Sequence, residues 1–351
     1  MSYETPARRT DFSIAVDGVN VTKKLRPFFL NMQYTDAAES EADDLKITLQ
    51  DRDGIWVGGW LGDMIQAAGI RGVKIKAALV QRGWEKDYDR WLDCGVFELD
   101  SVEASGPSTA VVLQASALPY SGAVRQTKKT RSWEHYSLTG IAQEIAANNG
   151  MKCGLYAAAN PVYDRLEQRR QTDTEFLSRL CQGAAVSLKI TNNTLVLFDQ
   201  RSFEKQPPVR TIRKGGGYVS YRFMASTAGT QYDSCRVSYT DPATGKVVEG
   251  TAKSEDYDES SKNHKQLEIT AKTASPGEAK ALAENHLRMH NKFARIATFT
   301  LPGDPLLLAG QTVQVEGWAA FDGKYLMSRA VHTLGPGGYT TDVELQKVLG
   351  V

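Results

Sequence analysis

Residues 300–345, TLPGDPLLLAGQTVQVEGWAAFDGKYLMSRAVHTLGPGGYTTDVEL, decide the fold class. Two prolines fix φ in Pro302-Gly303-Asp304-Pro305, and the glycine between them permits a positive φ, so the chain must turn there. Gln311 to Val315 alternates polar and apolar residues, the period of a half-buried strand. Phe321-Asp322-Gly323-Lys324 holds an Asp-Gly pair, a strong hairpin signal. Tyr325 to Val331 reads as the next strand, Gly335-Pro336-Gly337-Gly338 turns it, and Tyr339 to Leu345 returns. This is a β-meander without a catalytic constellation, built as a wall.

Working outward, the chain up to about Ser121 is also β-rich. Leu45, Ile47 and Leu49 alternate with Lys46, Thr48 and Gln50, giving one apolar and one wet face. Val73, Ile75, Ala77 and Leu79 repeat the pattern with Lys74 and Lys76 outward, and Cys94 to Val102 and Ala110 to Ala115 continue it. Trp60 to Ala68 is expected as a short helix. Several short strands separated by turn signals predict an antiparallel barrel, closed or nearly so. Arg125 to Arg131 is a basic connector, expected as a solvated loop.

The middle of the chain changes character. Leu138, Ile141, Ala142 and Ile145 fall at helical spacing, and Gly150 supplies a stop. Thr172-Asp173-Thr174-Glu175 is a capping box that opens a second helix, with Phe176, Leu177 and Leu180 on its buried face. Val186 to Ile190 and Leu195 to Phe198 predict a hairpin across Asn192-Asn193. Arg201 to Pro208 reads as a linker. Beyond it, Tyr218 to Phe223 and Tyr232 to Tyr239 read as strands, Lys253 to Lys265 as an exposed loop, and Ser275-Pro276-Gly277-Glu278 as a helix start. The expected fold class is mainly β with an α+β insert. Residues 1–124 form a first tube-like antiparallel β-barrel domain, 125–205 the α+β module and 206–351 a second tube-like β-barrel domain.

Composition narrows the function. The 351 residues hold 42 Lys+Arg against 41 Asp+Glu, a formal net charge of +1. A nucleic-acid binder usually carries a basic surplus, so none is expected here. No apolar run suggests a signal peptide or a membrane span. Cys94, Cys153, Cys181 and Cys235 are scattered without metal-ligand spacing, and are expected as reduced, mostly buried thiols. His286 and His290 lie one helical turn apart, but Leu287 stands where a zinc protease needs glutamate. The clusters Asp87/Asp89 and Asp256/Asp258/Glu259 lack an EF-hand's glycine and terminal glutamate. Lys214-Gly215-Gly216-Gly217 lacks the order of a phosphate cradle, and no nucleophile elbow occurs. No catalytic residue, metal ligand or cofactor site is assigned. His332, on a strand, is expected to satisfy a neighbouring hydrogen bond.

The Pro-Gly-Asp-Pro turn, Leu306 to Gly310, Val313 and Val315, the Asp-Gly-Lys-Tyr turn, His332 and Gly338-Tyr339-Thr340-Thr341 together resemble the C-terminal part of the phage late control protein D family. The resemblance extends weakly to Asp43-Asp44-Leu45 and Asp51-Arg52-Asp53-Gly54, and more clearly to Gln171 through Leu180. It implies a structural, non-enzymatic hub of a contractile-tail baseplate or related injection machine. A homotrimer would place six similar barrels round one axis, between the six-fold tail tube and the three-fold central spike. The implied partners are the spike protein, the tail tube protein or its adaptor, and other baseplate and tape measure proteins. Assembly would take place in the host cytoplasm, and the destination would be the virion. Within the family the module at 130–200 is similar to small peptidoglycan-binding repeats, at the level of fold only. Trp56, Trp60, Trp318 and Tyr325 are the candidate interface anchors, because large amphipathic rings dominate hot spots. Two other readings stay open: a tail-associated cell-wall hydrolase, and a glycan-binding tail protein.

Overall fold

The computed structural model describes residues 7–39, 42–60, 70, 72–85, 88–107, 109–118, 127–157, 159–227, 231–242, 244–255, 257–261 and 263–349. The first unit contains β1 (Arg9–Val16), β2 (Val19–Asn20), the one-turn helix α1 (Thr22–Leu25), β3 (Phe29–Ala37), β4 (Asp44–Gln50), β5 (Lys74–Arg82), β6 (Arg90–Ser105) and β7 (Ala110–Ser116). The strands run antiparallel in the order β3-β4-β7-β6-β5-β1-β2. The alternation in β4 buries Leu45, Ile47 and Leu49 against Ile14, Met32, Leu79 and Phe97. Among the described residues no backbone ladder closes this curled sheet. Side chains fill the seam instead: Phe12 stacks on Phe29 with ring centroids 4.1 Å apart, and the Ile14 amide donates to the Thr22 hydroxyl at 2.9 Å. The expected closed or nearly closed barrel is thus seen as an antiparallel sheet that is not hydrogen-bonded shut among the described residues. Of the expected helix at 60–68, residues 61–69 lie outside the described residues, and Trp56–Trp60 forms a helical turn with a kink at Gly59.

The insert comprises β8 (Lys129–Ser137), α2 (Leu138–Asn148), β9 (Lys152–Tyr156), β10 (Val162–Gln171), α3 (Asp173–Gly183), β11 (Ser187–Thr191), β12 (Thr194–Phe198) and α4 (Gln200–Glu204). Ser137 caps α2, and the Thr172–Glu175 capping box holds α3. Asn192 and Asn193 both take positive φ, 45° and 55°, as a tight hairpin turn between β11 and β12 requires. Strand β9 adds to β12 in parallel, and β8 pairs with β10 as a separate ribbon.

Two sequence expectations need correction here. Of the basic connector at 125–131, residues 125 and 126 lie outside the described residues, and the rest ends as strand rather than loop, because Lys129 and Arg131 find fixed partners. Lys129 Nζ donates to Asp173 Oδ2 at 2.5 Å, and Arg131 reaches Glu144 at 2.5 Å while lying 3.8 Å over the Trp133 ring. The linker expected at 201–208 begins as α4, whose Asp199 cap accepts from the Arg201 amide.

The last region carries β13 (Arg210–Arg213), β14 (Ser220–Ala225), β15 (Ser234–Thr240), β16 (Val247–Lys253), β17 (Gln266–Thr270), α5 (Pro276–Asn291), β18 (Arg295–Pro302), β19 (Thr312–Glu316), β20 (Gly323–Gly335) and β21 (Gly338–Lys347). Strands β14-β18-β21-β20-β19-β13 curl round Phe299, Leu307, Val313, Tyr325 and Leu345. Between β14 and β18 the chain leaves to build a second small α+β module, missed by the sequence reading. There β16-β15-β17 packs on α5 over Cys235, Val237, Ala279, Ala283 and Leu287.

The two β-units are one sheet. Strand β20 pairs antiparallel with β3, setting His332 opposite Tyr34 and Val331 opposite Thr35, so a thirteen-stranded sheet runs through both.

Candidate functional site

Residues of the C-terminal pattern converge where the two units join. Gly303 lies against Tyr339 so closely that a Cβ there would sit 2.1 Å from the ring, and its carbonyl accepts Gln81 Nε2 of β5 at 2.8 Å. The glycine is needed for space, not for the positive φ expected of it. Asp304 takes Arg210 at 3.0 Å, lies 4.0 Å from Arg90 of the first unit, and its amide donates to the Thr341 hydroxyl at 3.1 Å. His332, wholly buried, has Nε2 2.9 Å from the Leu307 carbonyl and Nδ1 2.7 Å from the Tyr339 hydroxyl, while Tyr34 stacks over its ring. With the Leu307 carbonyl able only to accept, Nε2 carries the proton and Nδ1 accepts from Tyr339. Burial holds the imidazole down at about 4, so it is neutral at ordinary pH. Every polar group named here is spent on another part of the same chain. It is a clamp.

A second meeting point joins three units. Asp36 at the end of β3 accepts the Ala309 amide at 2.8 Å from the C-terminal unit and an ion pair from Lys189 of the insert. The two α+β modules also touch each other. Arg288 pairs with Glu204, Arg201 with Glu284 at 3.1 Å, and His286 Nε2 lies 3.2 Å from the Gly183 carbonyl. His286 thus serves the module contact, and burial lowers its affinity for a proton. Among the described residues no group of three His, Cys, Asp or Glu side chains gathers as a metal site. Burial pushes the thiols of Cys181 and Cys235 up, to about 12 and about 11.

The four expected anchors fare differently. Tyr325 is completely buried, and its hydroxyl donates to the Phe321 carbonyl at 2.8 Å, so it is a core residue rather than a surface anchor. Trp56 is buried too, edge-on to Phe28 at 5.4 Å. In both cases the alternating strand or turn aims the ring inward, which a ring's type alone does not reveal. For Trp60 the side chain lies outside the described part. Trp318 is half-buried in an aromatic cluster with Tyr218, Tyr221, Phe223 and Phe299.

That cluster borders β14, a terminal strand of the long sheet. The Ser226 amide donates to the Ala294 carbonyl, so even-numbered residues of β14 face β18 and Tyr221, Phe223 and Ala225 turn their backbone groups to the open edge. Tyr221 is 44% exposed although its ring lies on the inner face with Phe299. Trp84, Tyr88 and Trp91, close in sequence between the end of β5 and the start of β6, are each exposed, with Arg8 over Trp84. Their signal was present in the sequence, as three large rings among the charges of residues 84–91.

Comparison with known proteins bears on this architecture. The family model of the phage tail baseplate hub (GPD) matches residues 75–337. The chain belongs to the phage tail baseplate hub family. A probable baseplate hub protein of Escherichia phage P2 is 26% identical over 213 residues, 59% of this chain and 51% of that protein. The chain thus spans about half the length of this curated relative. Among solved structures, the prophage MuSo2 43 kDa tail protein from Shewanella oneidensis superposes with a TM-score of 0.66 at 13% identity, over 96% of this chain and 98% of the other. A type VI secretion system component from E. coli gives 0.55 at 10% identity, over 95% and 76%. At such identities the likeness is one of fold. The hub family's match takes in the Pro302–Pro305 turn and His332 and ends just before Tyr339 and Thr341, which complete the clamp.

Proposed function

We propose that three copies of this chain form the central hub of a contractile phage tail or related injection device, seated between a six-fold tail tube and a three-fold spike. The observation that carries this reading is the continuous thirteen-stranded sheet, which joins two β-walls in a fixed relation within each chain. Three such pairs give six walls round a three-fold axis, a direct means of matching unlike symmetries. Membership of the hub family supports it, and so does the open aromatic edge at β14, since an exposed edge of that kind calls for a strand partner. The work is done by geometry rather than turnover. Partners in this reading are the spike protein, the tube protein or its adaptor, and further baseplate and tape measure components, met in the host cytoplasm before the virion is complete.

Native mass spectrometry with and without the candidate spike protein tests it. A trimer, with one spike trimer bound, is the expected species; a chain that remains monomeric at assembly concentrations with spike present would refute the reading. Trp318→Glu is expected to weaken trimer formation at least tenfold while leaving the far-UV circular dichroism spectrum unchanged. Loss of the native spectrum would instead place Trp318 in the core.

A further inference from the structure

The insert is held to the double sheet by a charge set that does not balance. From the double sheet come Asp36 at the end of β3 and Asp43 just before β4, both at least 95% buried; from β11 of the insert comes Lys189. Lys189 Nζ pairs with Asp36 Oδ1, donates to the Ala37 carbonyl at 2.9 Å, and lies 3.6 Å from Asp43 Oδ1. Asp43 Oδ1 also accepts the Ala37 amide at 3.1 Å, while its Oδ2 is buried without a well-formed hydrogen bond, the Thr191 hydroxyl being the neutral donor nearest the carboxyl. Backbone contacts bind the same place, with the Asp43 amide donating to the Ile190 carbonyl at 3.3 Å.

We propose that Asp36, Asp43 and Lys189 form a proton-sensitive latch between the insert and the double sheet, tight when Asp43 is protonated and looser when it is ionised.

With both acids ionised, two negative charges share one positive charge away from water, and a buried uncompensated charge is costly. Among the described residues, the groups facing the set do not cancel the excess. Tyr34 of β3 and Cys94 of β6 are pushed up by burial and stay neutral, and Asp93 is exposed and pairs with Lys76 at 3.4 Å. His332 of β20 is neutral, Asp304 is engaged by Arg210, and the Thr191 hydroxyl, which hydrogen-bonds the Asp43 carboxyl, carries no charge. Lys292, beyond α5, is occupied by Glu39 at 2.6 Å, and Glu39 also accepts the Ser187 hydroxyl at 2.6 Å. A proton on Oδ2 of Asp43 makes the set neutral. Consistent with that, burial raises the Asp43 carboxyl to about 6, outweighing Lys189, which lowers it, while Asp36 adds to the rise and hydrogen bonds from the Thr191 hydroxyl and the Ala37 amide oppose it.

The sign follows. A carboxyl that holds its proton more firmly in the docked form favours docking at low pH, and that advantage fades as pH rises through the docked value. The latch concerns the chain's own units and stands or falls independently of the hub reading.

Hydrogen exchange on the full-length protein, followed in peptides covering residues 187–198 and corrected for intrinsic rates, tests it. Opening of the hairpin is expected to increase about fourfold from pH 5.5 to pH 7.5, for a carboxyl titrating near 6 when docked and near 4 when free. Asp43→Asn should remove that slope. Lys189→Gln should steepen it, since the two acids then lack their cation. A wild-type opening constant that does not rise with pH would overturn the latch. So would an unchanged slope in both variants, and if Asp43→Asn fails to fold, an unchanged slope in Lys189→Gln is sufficient.

Discussion

His332 shows what a single residue of the C-terminal pattern does. It sits where the ladder between β3 and β20 meets the chain around Leu307, and both ring nitrogens are engaged inside the protein. In an unfolded chain the imidazole takes up a proton at about 6.5. In the core it does so only at about 4, because burial disfavours the charged form. Between those values the unfolded state binds more protons, so acid lowers stability; the contribution is complete above pH 6.5 and fades as pH falls toward 4. Between pH 7 and pH 5 this amounts to about 2 kcal/mol. Urea denaturation at the two pH values should show His332→Gln losing less stability on acidification than wild type by that amount. Equal losses would mean that the ring is not held neutral. The sequence disclosed that His332 would satisfy neighbours, but not which ones, since Leu307 and Tyr339 reach it only through the turns at 303–310 and 335–338.

Among the elements, those with local instructions were the legible ones. The Thr172–Glu175 capping box, the Ser275 cap, the paired asparagines at 192–193 and the alternation of β4 each act over a few residues, and each forms as read. The β8–β10 ribbon was illegible because its strands are charge-rich and are held by partners distant in sequence, such as Asp173 and Glu144. The second α+β module was hidden for a related reason. Its sheet was read as barrel wall, because nothing in residues 234–270 announces that a helix will cover one face. Gly250 marks that contact. A Cβ at this position would stand 2.2 Å from the Lys280 amide nitrogen and 2.6 Å from the Ala279 carbonyl carbon, so α5 rests directly on the β16 backbone. Gly250→Ala must separate helix and sheet, costing about 1–3 kcal/mol as overpacked cores do. The loss should be local. Hydrogen exchange is expected to rise in peptides from β15, β16 and α5 while those of β3, β4 and β20 keep their protection. Uniform loss across all of them would mean that the module is not a separate cooperative unit.

For the whole molecule, the decisive fact is that the sheet does not stop where the sequence suggests a second domain. Reading strands one at a time yields two walls, and only the register of Arg329–Leu334 against Met32–Ala37 makes them one. That pairing spans some three hundred residues of chain, which no local pattern encodes. Its two sides also share packing: Leu334 lies in the core of the first unit, and Asp36 and Gln81 bond backbone groups of the loop between β18 and β19. Each half taken alone would therefore present a long unpaired edge with a buried face laid open. Fragments 1–205 and 206–351 expressed separately are expected to aggregate or remain on chaperones. Expressed together they should co-elute as a one-to-one complex with the circular dichroism of the intact chain. The reverse result, two soluble monomeric fragments each melting cooperatively with no affinity for the other, would show that β3 and β20 merely touch, and the fixed relation of two walls on which the hub proposal depends would be lost.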